Sequence, residues 1–100
     1  MPAVTRMGDM STGHGCFPPT DMIATPVSKT YFNGKLAGVV SAECQFETHS
    51  CPPITHLASE RFISSGASKT FIEGYKAARI GDNIDCGDAV AEGSPNSFIE

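Results

Sequence analysis

The sequence predicts a small all-β fold made of three similar β-hairpin repeats around a pseudo-threefold axis. The motif SKTYFNG at residues 28–34 returns as SKTFIEG at residues 68–74, and PNSFIE at residues 95–100 is a third, shortened copy. Such self-similarity is typical of a fold built from one repeated structural unit. Short β-branched and aromatic stretches, separated by Gly and Pro, predict strands. With only 100 residues, the chain is expected to form a single domain over residues 1–100.

Each copy of the motif predicts one hairpin. Residues 30–32 are β-branched or aromatic and favour a strand. Asn33-Gly34 then predicts a two-residue turn, because both central positions of a type I′ turn need a positive φ. Glu73-Gly74 is a weaker version of the same turn in the second copy. A helix would fit only at residues 56–63, so the repeats leave little room for one.

Composition and charge exclude several classes of protein. The net charge is −4 and no run of Lys or Arg occurs, which argues against a nucleic-acid partner. Charged residues make up 18% of the chain, too few for a disordered acidic tail. No apolar stretch approaches the roughly 20 residues needed to span a bilayer. The opening MPAVTRMGD lacks the pattern of an export signal, so we expect synthesis in the cytoplasm.

Histidine and cysteine residues form the candidate metal site. A thin domain with a narrow centre would gain stability from nitrogen and sulfur ligands converging on zinc. The first loop contains His14, the middle loop contains His49 and His56, and the last loop contains Cys86. One ligand group per repeat is the distribution expected for a metal on a pseudo-threefold axis.

The remaining cysteines leave alternatives open. No C-x-x-C pair is present, and Cys44 is an alternative to Cys86 as a ligand. Cys16 and Cys51 are explained equally well as small buried apolar residues. Because no export signal is visible, free thiols or metal ligands are favoured over a Cys16–Cys51 disulfide.

An enzymatic function is not expected, and we predict neither catalytic residues nor an organic cofactor. Four protein ligands would leave zinc without the open position that a catalytic zinc needs. Asp9, Asp82, Asp85 and Asp88 lie at Gly-rich turns, where hydrogen bonds of the turn explain them. The alternative functions are a small zinc-dependent hydrolase or toxin and a free-standing zinc-binding or redox module.

Motifs at both ends of the chain resemble those of PAAR-domain proteins. They are the opening MPAVTRMGDMSTGHGCFPP, the F-x-x-G hairpins and the closing ARIGDNIDCGDAVAEGSPNSFIE. The Pro-Ala-Ala-Arg element that names the family has its counterpart in residues 76–79, where Lys76 replaces the proline. The resemblance covers essentially the whole chain and is loosest at residues 40–65.

The resemblance implies a small cone of three pseudo-threefold hairpin repeats whose irregular loops meet at a zinc-stabilised tip. Family members bind zinc through three histidines and one cysteine, which match His14, His49, His56 and Cys86 here. They cap and sharpen the trimeric β-helical spike of a type VI secretion system or a contractile phage tail, with one tip chain per trimer, and so aid membrane puncturing during penetration of the target cell envelope.

The same resemblance implies effector proteins as further candidate partners and transient contact with the target membrane. The protein would be made in the cytoplasm and mounted on the spike tip. It would then be delivered outside the cell or into the target cell, or form part of the virion. The candidate spike-docking side chains are Val27, Tyr31, Phe32, Phe71, Ile72, Phe98 and Ile99.

Overall fold

A computed structural model describes residues 1–85 and 87–99 and shows an all-β fold, as predicted. In chain order the strands are β1 (Met22–Ala24), β2 (Tyr31–Phe32), β3 (Lys35–Leu36), β4 (Ser41–Phe46), β5 (His49–Cys51), β6 (Ile54–His56), β7 (Phe62–Ile63), β8 (Phe71–Ile72), β9 (Tyr75–Lys76), β10 (Asn83–Ile84) and β11 (Asp88–Ala89). A single 3₁₀ turn, Ala58–Glu60, lies between β6 and β7 in this part of the chain. It occupies the segment where the sequence left room for a helix.

The strands form one larger sheet and three separate hairpins among the described residues. The sheet has the order β1-β4-β7-β10-β11, and all of its pairs are antiparallel. The hairpins are β2-β3, β5-β6 and β8-β9. No helix within the described ranges has the length and apolar character that crossing a bilayer requires.

The two full copies of the sequence motif form the predicted hairpins. Asn33 and Gly34 turn β2 into β3 with φ values of 57° and 79°. Glu73 and Gly74 do the same between β8 and β9, with φ values of 53° and 89°. The left-handed conformation of both turn residues is the feature that the Asn-Gly signal predicted.

The shortened third copy is completed by the start of the chain. Phe98 pairs antiparallel with Ala3, and the Ile99 amide donates to the Pro2 carbonyl at 2.9 Å. The Val4 amide donates to the Ser97 carbonyl at 3.0 Å. The equivalent hydrogen bonds in the other two repeats run from the Ala37 amide to the Thr30 carbonyl and from the Ala77 amide to the Thr70 carbonyl. The third hairpin therefore joins the two ends of the described chain.

A closed triangle of backbone hydrogen bonds marks the pseudo-threefold axis. Gly38 donates to Thr5 at 2.9 Å, Thr5 donates to Ala78 at 3.1 Å, and Ala78 donates to Gly38 at 3.1 Å. A Cβ on Gly38 would lie 2.6 Å from the Thr5 methyl group, so the close approach requires glycine there.

Two apolar clusters form the core of an elongated molecule measuring 38 × 24 × 22 Å. The cluster between the hairpin repeats consists of Val4, Val27, Ala37, Val39, Ala67, Ile72 and Ala77. The cluster along the larger sheet consists of Met22, Cys44, Phe46, Ile63, Ala78, Ile84 and Val90. Most of these side chains are small, so the core is thin, as expected for a short chain.

Candidate metal centre

His14 lies in a tight loop in the first part of the chain. The His14 amide donates to the Phe17 carbonyl at 3.1 Å, and the Phe17 amide donates back to His14 at 2.8 Å. Gly13 has a φ of 71°, and a Cβ there would lie only 2.7 Å from the Phe17 carbonyl oxygen. The glycine and the reciprocal hydrogen bonds therefore hold the loop in the shape that presents His14.

His49 and His56 lie opposite one another on β5 and β6. Their Nε2 and Nδ1 atoms, respectively, are 3.1 Å apart. The expectation that both histidines lie in the middle loop is therefore wrong. Both histidines are on strands of one hairpin. As directly opposite residues of an antiparallel pair, their side chains lie together on one face of the hairpin.

The three histidines converge, as the sequence predicted. One ring nitrogen from each of His14, His49 and His56 lies within 4.8 Å of the other two. Two imidazole nitrogens on one tetrahedral zinc ion are about 3.3 Å apart, given zinc–nitrogen bonds of about 2.0–2.1 Å. The donor set and its spacing therefore fit a transition-metal ion such as zinc.

Hydrogen bonds at Nδ1 place the lone pair of two histidines on Nε2, the nitrogen that would bind a metal. The Nδ1 atom of His14 contacts the Asp88 carboxylate, and Nδ1 of His49 donates to the Pro18 carbonyl at 3.0 Å. Carbonyl and carboxylate oxygens accept hydrogen bonds, so the hydrogen resides on Nδ1 and the lone pair on Nε2. Burial lowers the pKa of His49, which favours the neutral imidazole that metal ligation requires.

Phe17 packs against all three imidazoles. Its ring centroid is 4.2 Å from that of His56, with the planes only 13° apart, and 4.7 Å from those of His14 and His49. The aromatic ring fixes the spacing of the histidines and covers the cluster with apolar surface.

Asp88 and Arg61 form a buried ion pair next to His14. The side chains of both are fully buried, and Arg61 Nη2 is 2.5 Å from Asp88 Oδ2. The sequence interpretation of Asp88 as an ordinary turn residue is wrong, because its carboxylate contacts both His14 and Arg61. Its position in a CGD segment two residues after Cys86 was the available signal, whereas Arg61 has no recognisable motif.

Cys16 and Cys51 form a disulfide, contrary to the preference for free thiols. Their Cα atoms are 5.4 Å apart, within the usual range for disulfides. Each cysteine is two residues beyond a histidine of the cluster, His14 and His49 respectively. The disulfide therefore joins the His14 loop to the β5-β6 hairpin.

The remaining cysteines are Cys44, which is a free thiol, and Cys86. Cys44 is fully buried in the sheet cluster, with its thiol 3.6 Å from the Met22 sulfur. Burial raises the pKa of Cys44, which disfavours the thiolate that a metal would need. Cys86, the predicted fourth ligand, lies outside the described residues. Its neighbour Gly87 is beside His14, since a Cβ on Gly87 would be 3.5 Å from Nε2.

Asp9 and Asp82 are each engaged with an arginine rather than with the histidines. Asp9 accepts hydrogen bonds from the Arg6 backbone amide and guanidinium. Asp82 likewise accepts hydrogen bonds from the backbone amide and guanidinium of Arg79. These equivalent turns confirm the structural interpretation of both aspartates. The described contacts therefore provide neither carboxylate as a base beside the histidines.

Comparison with known proteins identifies the family. A search of curated proteins finds no match. The family model described as PAAR motif matches residues 22–92, which is more than half of the chain. The matched region includes both full hairpin repeats, the β5-β6 hairpin with two of the histidines, and the Arg61–Asp88 pair. This chain belongs to the PAAR-motif family.

Proposed function

We propose that this chain is the zinc-stabilised tip of the spike of a contractile injection machine, either a type VI secretion system or a contractile phage tail. Membership of the PAAR family supports a role at the spike tip and a spike protein as the partner. The observation that carries the finer proposal is the convergence of His14, His49 and His56 in a chain of this family. The role is mechanical: the tip caps and sharpens the spike and performs no catalysis.

The proposed zinc ligands are the three histidines and Cys86. Gly87 and Asp88, which follow Cys86 in the chain, lie beside His14 and so support Cys86 as the fourth ligand. Bound zinc would supply a closed tetrahedral cross-link between the first loop, the β5-β6 hairpin and the last loop. Such a cross-link compensates for a thin core, because structural zinc binding contributes on the order of 10 kcal/mol to folding.

Three exposed aromatic side chains form the proposed spike-docking surface. Tyr31, Phe71 and Phe98 hold equivalent positions in the three repeats and are 57%, 58% and 51% exposed. A trimeric partner presents the same surface three times, so three equivalent anchors suit one tip chain on one trimer. Of the other candidates, Val27 and Ile72 are buried in the core and are withdrawn as docking residues.

We also propose that residues 1–100 act as one domain, which the pairing of Ala3 with Phe98 supports. The protein would be made in the cytoplasm and mounted on the spike. From there it would be delivered outside the cell, into a target cell, or within a virion. Effector proteins remain proposed passengers, bound separately.

Two measurements on purified protein test the proposal. Metal analysis is expected to find about one zinc per chain, and His56→Ala is expected to lose it. Co-purification with a trimeric spike protein is expected to give one tip chain per three spike chains. A stably folded protein that binds no zinc would refute the metal centre, and a complex with three tip chains per trimer would refute the capping geometry.

Matched variants separate the two sites. The triple variant Tyr31→Ala, Phe71→Ala and Phe98→Ala is expected to keep zinc and to lose the spike, because these side chains are exposed. The converse result, loss of zinc with the spike still bound, would contradict the assignment of the docking surface.

A further inference from the structure

We infer that Asp88, held in place by Arg61, is a positioning residue that orients His14 for metal binding. The inference rests on the proposed metal centre and adds a function for two buried charged residues. Asp88 is the first residue of β11, with its side chain fully buried. One carboxylate oxygen contacts Nδ1 of His14, and the other contacts Arg61.

The contact with Asp88 determines which nitrogen of His14 can bind a metal. An ionised carboxylate only accepts hydrogen bonds, so Nδ1 carries the hydrogen and Nε2 keeps its lone pair. Gly87 lies beside the other part of the ring, since a Cβ there would be 3.5 Å from both Cδ2 and Nε2, and the glycine leaves that part uncovered. Histidine ligands of metals commonly donate their other ring nitrogen to a carboxylate, which fixes both tautomer and orientation.

Arg61 prevents the Asp88 carboxylate from moving away. Besides Asp88, its guanidinium donates to Thr20 Oγ1, to the Glu47 carbonyl and, at 3.2 Å, to Ser11 Oγ. These contacts fix Arg61 to the residues that flank the His14 loop and to the segment that precedes β5. The chain of contacts therefore runs from fixed backbone, through Arg61 and Asp88, to the His14 ring.

The energetics of buried ion pairs favour a positioning role over a purely stabilising one. Desolvation of two fully buried charges offsets most of their attraction, so such pairs add little net stability. The pairs Arg6–Asp9 and Arg79–Asp82 differ because each closes a local four-residue turn. Arg61 and Asp88 close no turn, and their distinctive contact is with His14.

The test compares zinc release from the wild type, from Asp88→Asn and from Asp9→Asn, using a chromophoric chelator. Asp9 is a matched control, since it is 3% exposed like Asp88 and is also paired with an arginine. Removing such a hydrogen-bond partner typically costs about 10–100-fold in metal affinity. We expect that loss for Asp88→Asn and wild-type affinity for Asp9→Asn.

Equal affinities for the wild type and Asp88→Asn would overturn the inference, and so would equal losses in both variants. A wild type that binds no zinc would instead overturn the proposed metal centre. Should Asp88→Asn fail to fold, nitrogen-15 spectra of the zinc-loaded wild type decide the matter. A hydrogen on Nδ1 of His14 supports the positioning role, and a metal on Nδ1 refutes it.

Discussion

Removal of the Cys16–Cys51 disulfide is expected to lower stability sharply even when zinc is bound. The disulfide joins residues with a sequence separation of 35. It links the His14 loop to the hairpin that contains His49 and His56. Reduction with a phosphine, or the double variant Cys16→Ser and Cys51→Ser, removes this link without changing a proposed zinc ligand.

The expected loss follows from the length of the closed loop. Closing a loop of this size removes chain entropy from the unfolded state worth about 4 kcal/mol. For a domain of this length, each kcal/mol shifts the melting temperature by about 4–8 °C. The disulfide is therefore expected to contribute about 15–30 °C to the melting temperature.

Thermal unfolding followed by circular dichroism, in excess zinc and with or without reductant, measures the effect. The double variant is the control, because reductant should not change its melting temperature. Alkylation and mass spectrometry establish which thiols are free. An unchanged wild-type melting temperature, with Cys16 and Cys51 both shown to be reduced, would refute the reasoning.

Two further predictions concern the hairpin repeats. Gly66→Ala should cost about 1–3 kcal/mol in urea unfolding, since its Cβ would lie 2.5 Å from the Ala77 carbonyl oxygen; unchanged stability would contradict this packing. The Lys29 amide and its neighbours lower the pKa of Glu73 below its ordinary 4.5. The stability that ionised Glu73 contributes is present above pH 4.5 and is lost as pH falls through the lowered pKa. Glu73→Gln should therefore flatten the dependence of the unfolding free energy on acidic pH, and an identical dependence in the variant would count against this reasoning.

Local patterns were sufficient to predict the two full hairpin repeats. Asn33-Gly34 and Glu73-Gly74 specify their turns through backbone conformation, which depends on adjacent residues alone. The histidines were identified by residue type and by the family resemblance. The prediction failed on how they are arranged, because the pairing of His49 with His56 depends on the register of β5 and β6.

The sequence by itself determined the all-β class, two complete hairpins, an incomplete third one and the set of candidate ligands. Only the tertiary structure decided that Ala3 completes the third hairpin at Phe98, that Cys16 bonds to Cys51, and that Arg61 and Asp88 lie behind His14. The physical reason is sequence distance. Turn and strand preferences act between neighbouring residues, whereas these contacts join residues far apart in the chain and form only when the whole fold packs together.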